Sequence, residues 1–554
     1  MHWRKSALFA TNLLAFNVSV ALAGEVDVVA DTVVAYTNYE LDHTEDTQTS
    51  GVDALTVKPS LALSAKGNDY SARASASYEY FDRHRFGDPL TGNLALDPDK
   101  PSHYTRYSYG ADYEIIDNIL SVNVKGAQSQ RAGASSYANV DNQLLGSNQL
   151  IETRSHGAGY SLSLLRGDYV ALTSLGSYNK LKSDGRTDNT SDDVIREGLD
   201  TENSQAFVSL SQGRALKRAT WNLSARYQKN DGNTLRNLES RSYSGNLSFP
   251  LFSSISLLAQ GQREENEFSS GTSELSVSDL EFTSYGIGLR YAPGIAQRIE
   301  VTYNDSDRTD NTTTDDSKQY LGVNIDWAFS RRTRLQASYG RNYFGETGNL
   351  NFSHSARYVR TSAYYSESVT TFSRLVATEA SLGTFVCPEE ATSFADCFLP
   401  DSPNYELNAG ESFTDLVVTV PDINEEVVYR KAGGMTVGYD SGKLAVGLTV
   451  GTSDTEYLTL QRDWKTRSVS LNGSYKLGAR TSLFSSLSKR KIERQAEGRE
   501  DDIASASVGV KHQLPGDIST SLDVQYMDRD STTNNLDLTE RRVSFSIRVP
   551  FTNN

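Results

Sequence analysis

Cysteine, methionine and tryptophan contribute only two, three and four residues to a chain of 554. Two cysteines exclude a disulfide-dense scaffold and a Cys-rich zinc protein. Hydrophobic residues make up 37% and the mean hydropathy is −0.49. That is less apolar material than the several globular cores of a soluble chain this long would need. Disorder does not account for it, because aromatic residues reach 10% of the chain, with 30 tyrosines. Basic residues are not in excess either. The formal charge is −16, so no nucleic-acid partner, which needs a basic face, is expected. Past the amino terminus no run approaches the ~20 apolar residues of a membrane helix. The histidines number seven and are scattered. GxSxG, HExxH, P-loop and CxxCH motifs are missing, so neither an enzyme nor a bound cofactor is expected.

What is present begins with an export signal. Met1-His2-Trp3-Arg4-Lys5 is a short basic segment, Ser6 to Val20 is mostly apolar, and Ala21-Leu22-Ala23 fits an A-x-A cleavage site. Residues 1–23 therefore read as a signal peptide. The mature chain, 24–554, reads as one unit with no plug domain ahead of its first strand.

That unit repeats one pattern. In residues 70–81, Tyr70, Ala72, Ala74, Ala76, Tyr78 and Tyr80 share one face, and Ser71, Arg73, Ser75, Ser77 and Glu79 share the other. A period of two means a strand with one apolar and one wet face. Trp221 to Tyr227, Leu321 to Trp327 and Val543 to Phe551 alternate in the same way. Short turns alternate with mostly longer polar segments, near 42–56, 82–101, 131–150, 182–202, 230–238, 265–279, 306–316, 345–348, 372–426, 454–464, 494–502 and 530–537. The expected fold class is an all-β, transmembrane, antiparallel up-and-down β-barrel of about 24 strands, with a range of 22–26. Tyr80-Phe81, Tyr113, Tyr291, Trp327, Tyr475 and Phe551 stand near strand ends, where a headgroup-level girdle belongs. The last strand ends on Phe551, which fits a carboxy-terminal signal for the barrel-assembly machinery.

The stretches IDNILSVNVKGAQSQRAG (116–133), YSESVTTFS (365–373), VYRKAGGMTVGYDSGKLAVGLTVGTSDTEY (428–457) and RTSLFSSLSKRK (480–491) give the chain a family likeness. It resembles the outer-membrane β-barrels associated with PEP-CTERM/exosortase systems of Gram-negative bacteria. The resemblance implies an outer-membrane location and a link to exopolysaccharide production and export. It supplies no functional residues to carry over.

The alternation assigns Arg73, Glu79, Asp112, Arg226, Arg290, Asp326, Arg357, Asp523 and Arg548 to the lumen, which is therefore expected to be wet and of mixed charge. The long segment 372–426 is expected either to fold into or over the pore or to lie outside as a flap. Its Cys387 and Cys397 are expected to form a disulfide after export. Asn304 to Asp307 with Asp310, Asp315 and Asp316 could form a calcium loop, although the spacing is not that of an EF-hand and a solvated loop is the better reading. His354 cannot pair with Ser353 or Ser355, since adjacent strand residues point to opposite faces. Three functions follow as expectations: a conduit supporting exopolysaccharide export, a general or selective diffusion porin, and a membrane-anchored interaction scaffold. The expected partners are outer-membrane lipid, the barrel-assembly machinery and, through the resemblance, polysaccharide and periplasmic export components.

Overall fold

The computed structural model describes residues 25–43, 49–87, 102–132, 150–165, 167–183, 200–216, 219–232, 236–270, 278–294, 296–310, 318–342, 344–371, 384–388, 411–415, 427–457, 463–495, 498–516, 518–532 and 537–551. The expected signal peptide, with Ala21 and Ala23, lies outside them.

Among the described residues the regular structure is all strand. It runs β1 (Glu25–His43), β2 (Thr49–Lys66), β3 (Tyr70–Gly87), β4 (Ser102–Ile116), β5 (Leu120–Ala132), β6 (Leu150–Leu164), β7 (Val170–Ser183), β8 (Asp200–Gln212) and β9 (Thr220–Gly232). Next come β10 (Arg236–Pro250), β11 (Ile255–Ser270), β12 (Ser278–Gly294), β13 (Gln297–Asp310), β14 (Lys318–Ser330), β15 (Thr333–Asn342), β16 (Gly345–Ser355) and β17 (Val359–Thr371). Two five-residue strands, β18 (Thr384–Pro388) and β19 (Glu411–Asp415), pair only with each other. The rest are β20 (Val427–Asp440), β21 (Leu444–Tyr457), β22 (Asp463–Lys476), β23 (Thr481–Arg494), β24 (Arg499–Gln513), β25 (Ser519–Ser531) and β26 (Leu538–Phe551).

Each strand except β18 and β19 pairs antiparallel with its sequence neighbours, β17 passes directly to β20, and β26 returns to β1 from Ala30↔Phe551 to His43↔Leu538. The result is a closed 24-stranded barrel. Following ladder partners once around displaces the path by about 30 residues; with ~4.8 Å between strands this gives a tilt of about 40° and, for a round section, a backbone diameter of about 50 Å.

The ladder registers turn the two-residue period into two surfaces. Tyr36, Phe545, Leu522 and Val510 line up across neighbouring strands on one surface, with Val524, Leu487 and Leu471 beside them. Many of the residues on it are large, apolar and exposed. Ser544, Asp523, Gly509 and Phe484 line up on the other. Nearly all buried polar side chains, among them Asp31, Asn203, Asn230, Asn304 and Asp501, lie on that second surface. Crowding belongs to the concave side of a curved sheet, so the polar surface faces the lumen and the apolar one faces lipid. On β20 the outward Tyr429 and Tyr439 stand ten positions apart, a rise of about 25 Å at that tilt, which matches an outer-membrane apolar band. Beyond the band on the long-loop side, outward ion pairs such as Lys180–Glu202 (2.9 Å) and Lys491–Glu493 (3.6 Å) fall at headgroup level.

Three expectations need correction. The segments near 42–56, 230–238, 265–279, 454–464 and 494–502 are mostly strand, and 345–348 lies within β16, leaving only residues 343 and 344 as the link from β15. Strands of up to 19 residues exceed the ~9–11 that cross a bilayer, so the walls project past the membrane where loops were expected. Phe81 is not a girdle residue. It faces inward, is 3% exposed, and packs with Ala54 and Tyr104. Asn304 to Asp307 are not a calcium loop. They lie in β13, where Asn304 and Ser306 face inward and Asp305 and Asp307 outward, so their oxygens cannot converge. Asp315, Asp316, Cys397 and most of 372–426 lie outside the described residues, and with them the expected disulfide and the position of the long segment.

The short turns use local chemistry. Asn118 takes φ 58° between β4 and β5, a left-handed conformation that Asn tolerates. Between β20 and β21 the Asp440 carboxylate accepts the Gly442 amide at 2.7 Å, and Gly442 takes φ 81°.

The seam between β1 and β26 is pinned by Arg548, which donates from Nε to Asp31 Oδ2 at 2.7 Å; Ser60 donates to the same carboxylate. Both charged side chains are largely buried. Removing one member leaves a buried charge uncompensated, a loss of about 3 kcal/mol or more. We expect Arg548→Ala to lower the temperature at which the barrel band converts to the unfolded band on gels. Arg548→Ala combined with Asp31→Asn should recover part of the loss.

Candidate functional site, the inner wall of the barrel

The inner wall divides into arcs of different chemistry. From β6 to β10 it is almost uncharged. Gln205 donates to Ser177 at 2.8 Å and Asn222 to Ser209 at 2.9 Å, and the Ser224 and Ser244 hydroxyls are 2.6 Å apart. Arg226 is the one charged side chain described on this arc, with its guanidinium 5.7 Å from the Phe207 ring centroid.

From β11 to β15 charges and amides are paired. Arg290 donates to Glu300 at 2.7 Å, and Arg334 grips Asp326 with two bonds of 2.9 and 3.0 Å. The bidentate arrangement is the strongest an Arg–carboxylate pair offers. Gln260 donates to both Thr302 and Asn304, at 2.9 and 2.7 Å. This mat needs glycine beside it: a Cβ on Gly286 would stand 2.0 Å from Asn304 Oδ1, and one on Gly322 would stand 2.6 Å from Thr302 Oγ1.

From β16 to β23 the wall is basic. Arg360, Arg430, Arg490 and Arg494 face inward, and the described strand interiors bring no Asp or Glu to this arc. At its edge Asp501 is surrounded by three guanidinium groups, those of Arg494 (2.9 Å), Arg499 (3.0 Å) and Arg529 (3.3 Å), and Ser531 donates to it at 2.6 Å. The Asp501 side chain is 1% exposed. Trp464 lies under Arg494, 4.6 Å from ring centroid to guanidinium. One carboxylate among three cations leaves a local excess of positive charge.

Arg73, Glu79, Asp112, Arg226, Arg290, Asp326, Asp523 and Arg548 all stand on the inward register. They are dispersed around the whole circumference and do not form one site. Glu79 pairs with Arg106 at 3.5 Å. Arg357 does not belong with them. It lies in the short turn between β16 and β17, its guanidinium 4.9 Å from the Tyr358 ring centroid, outside the wall. His354 faces outward, Nδ1 2.7 Å from Thr333 Oγ1. Sequence reasoning missed the basic arc. Its signal was available in residues 428–440: Met435, Val437 and Tyr439 set the outward phase, which sends Arg430 inward and Lys431 outward. Over the described wall as a whole, Lys and Arg outnumber Asp and Glu by about two to one, which gives the lumen a positive field. The expected mixed charge is therefore biased towards the basic side.

A family model described as Gram-negative porin matches residues 185–347, the part of the chain from the approach to β8 to the start of β16. Among curated proteins no match is found. Solved structures similar to the chain include the siderophore receptor PirA from Acinetobacter baumannii, at 9% identity and a TM-score of 0.43, covering 95% of this chain and 81% of that one. The FrpB iron transporter from Neisseria meningitidis, F5-1 variant in apoprotein form, is similar at 9% identity and a TM-score of 0.46, with the same coverage. A ferric enterobactin receptor (PfeA) mutant from Pseudomonas aeruginosa gives 10% identity and a TM-score of 0.37, covering 94% and 80%. No ligand is carried across from these likenesses. The closed wall, its apolar outer face and the porin match make the chain an outer-membrane β-barrel of the Gram-negative type.

The Asp501 cluster generates a stability prediction. Asp501→Ala leaves three buried guanidinium groups without their shared carboxylate and should cost about 3–5 kcal/mol. Urea unfolding followed by the fluorescence of Trp464 and the other tryptophans would measure it. A loss below 1 kcal/mol would mean that the cluster is not holding this rim together.

Proposed function

We propose that this protein is a porin-type conduit for hydrophilic solutes with a preference for anions. The observation that carries this reading is the inner wall, in which Arg and Lys prevail over Asp and Glu and the arc from β16 to β23 is basic without interior carboxylates. The chain as a whole is acidic, −16, so the sign of the wall is not a by-product of composition. A cleft of one sign with low-dielectric walls concentrates ions of the other sign. Hydroxyl and amide groups supply much of the remaining lining, which suits hydrated solutes, while inward apolar side chains such as Phe81, Leu258 and Phe282 are buried. The match of residues 185–347 to a Gram-negative porin model points the same way.

The uncharged arc from β6 to β10 favours a second reading, passage of a polysaccharide, whose hydroxyls such a surface can hydrogen-bond. This is the role implied by the resemblance to PEP-CTERM-associated barrels. A deletion strain with less surface polysaccharide and unchanged uptake of small anions would support it over the first.

Reversal potential across a planar bilayer holding the purified protein, under a tenfold KCl gradient, tests the first reading. Chloride should carry most of the current. Arg360→Gln with Arg490→Gln should move the reversal potential towards zero. A cation-selective wild type would reject the proposal, and a protein that never conducts would favour the scaffold role.

A further inference from the structure

Arg430 is an anomaly of the inner wall. Its side chain faces the lumen from β20 and the residue is 7% exposed, yet among the described residues no carboxylate or hydrogen-bond acceptor pairs with it. Its Nε is buried without a partner. The other deeply buried arginines on this face are held differently. Arg494, Arg499 and Arg529 share Asp501, Arg341 donates to Ser306 at 3.3 Å, and Arg83, whose Nε and Nη2 are also buried without a partner, lies against the Phe81 ring, 5.0 Å from its centroid. A buried cation without a counter-ion is costly, and a ligand that supplies the missing charge would offset that cost.

The surroundings of Arg430 are those of an anion cradle. On the same face Ser368 and Thr455 are its direct ladder partners, and Ser366 and Ser453 flank Ala432 one step along the strand. These hydroxyls can each donate a proton to an oxyanion. One step further, the Tyr364 ring lies against Gly434. A Cβ there would come 2.7 Å from the ring, so the glycine lets Tyr364 settle flat against the wall. The inward faces of β17, β20, β21 and β22 carry no interior Asp or Glu among the described residues that could compete for the guanidinium.

We propose that Arg430, with the hydroxyls of Ser366, Ser368, Ser453 and Thr455, forms a binding site for an oxyanion group, a carboxylate or a phosphate, borne by a hydrophilic solute in the lumen. The planar fork of a guanidinium matches two oxygens of such a group, which a lysine ammonium does not. The proposal rests on the anion-conduit reading for its place in transport but not for its chemistry, since binding is measurable on a barrel in detergent that conducts nothing.

Calorimetric titration of the refolded full-length protein with inorganic phosphate, and in a second arm with glutarate, decides it. The wild type should bind at least one of the two, Arg430→Gln should bind it at least tenfold more weakly, and Arg430→Lys should lie between. Lys431→Gln, whose side chain is on the lipid side, should match the wild type. If Arg430→Gln fails to give a folded gel band, the comparison of wild type with Arg430→Lys stands in its place, with a loss of at least fivefold expected. Equal binding by wild type and the Arg430 variant, or no binding of either anion by the wild type, overturns the proposal. A non-selective channel with intact Arg430-dependent binding would reject the conduit's anion preference and leave the site standing.

Discussion

Everything in this structure depends on the backbone hydrogen bond. In lipid no water is available to an unpaired amide or carbonyl, and each orphan costs several kcal/mol. A sheet can meet that demand only by closing, and here it closes where β26 meets β1 over fourteen successive ladder positions. The seam is the only rung of the wall that joins opposite ends of the sequence. Its side chains reflect that, with the buried pair of Arg548 and Asp31 and the Thr37–Ser544 hydroxyl contact both lying across it.

Closure then sorts the chemistry. Once each strand's two faces are assigned to lipid and lumen, every second residue is exposed to one solvent or the other, and no large core is needed. The net result is an uneven distribution of charge. A chain of formal charge −16 encloses a wall on which cations prevail among the described residues, so the excess of negative charge is not carried by that wall. Outward-facing carboxylates such as Glu202, Glu239 and Glu500 take part in pairs at the ends of the strands. The separation of signs lets one acidic protein present a basic interior.

The barrel was readable because its signal is local and repeated. The turn residues between strands and the alternation of Val543 to Phe551 require no knowledge of distant parts of the chain. Counting short and longer connections led to 24 strands, the number observed. Loop boundaries were misplaced where polar residues continue a strand above the membrane, as in 345–348, because polarity marks contact with water and not the end of the ladder. Phe81 was misplaced for a related reason. Next to Tyr80, it reads as one aromatic pair, but neighbours in a strand face opposite solvents.

The sequence by itself determined the strand period, the direction of each apolar face and the antiparallel order, since these follow from which residues sit two apart. The tertiary structure decided what the inward residues meet. Asp501 gathers arginines from β23, β24 and β25, whereas Arg430, also buried, stands in register with Ser368 of β17 and Thr455 of β21 and with no carboxylate. That difference depends on register across strands far apart in the chain, and register is fixed only when the whole sheet has closed.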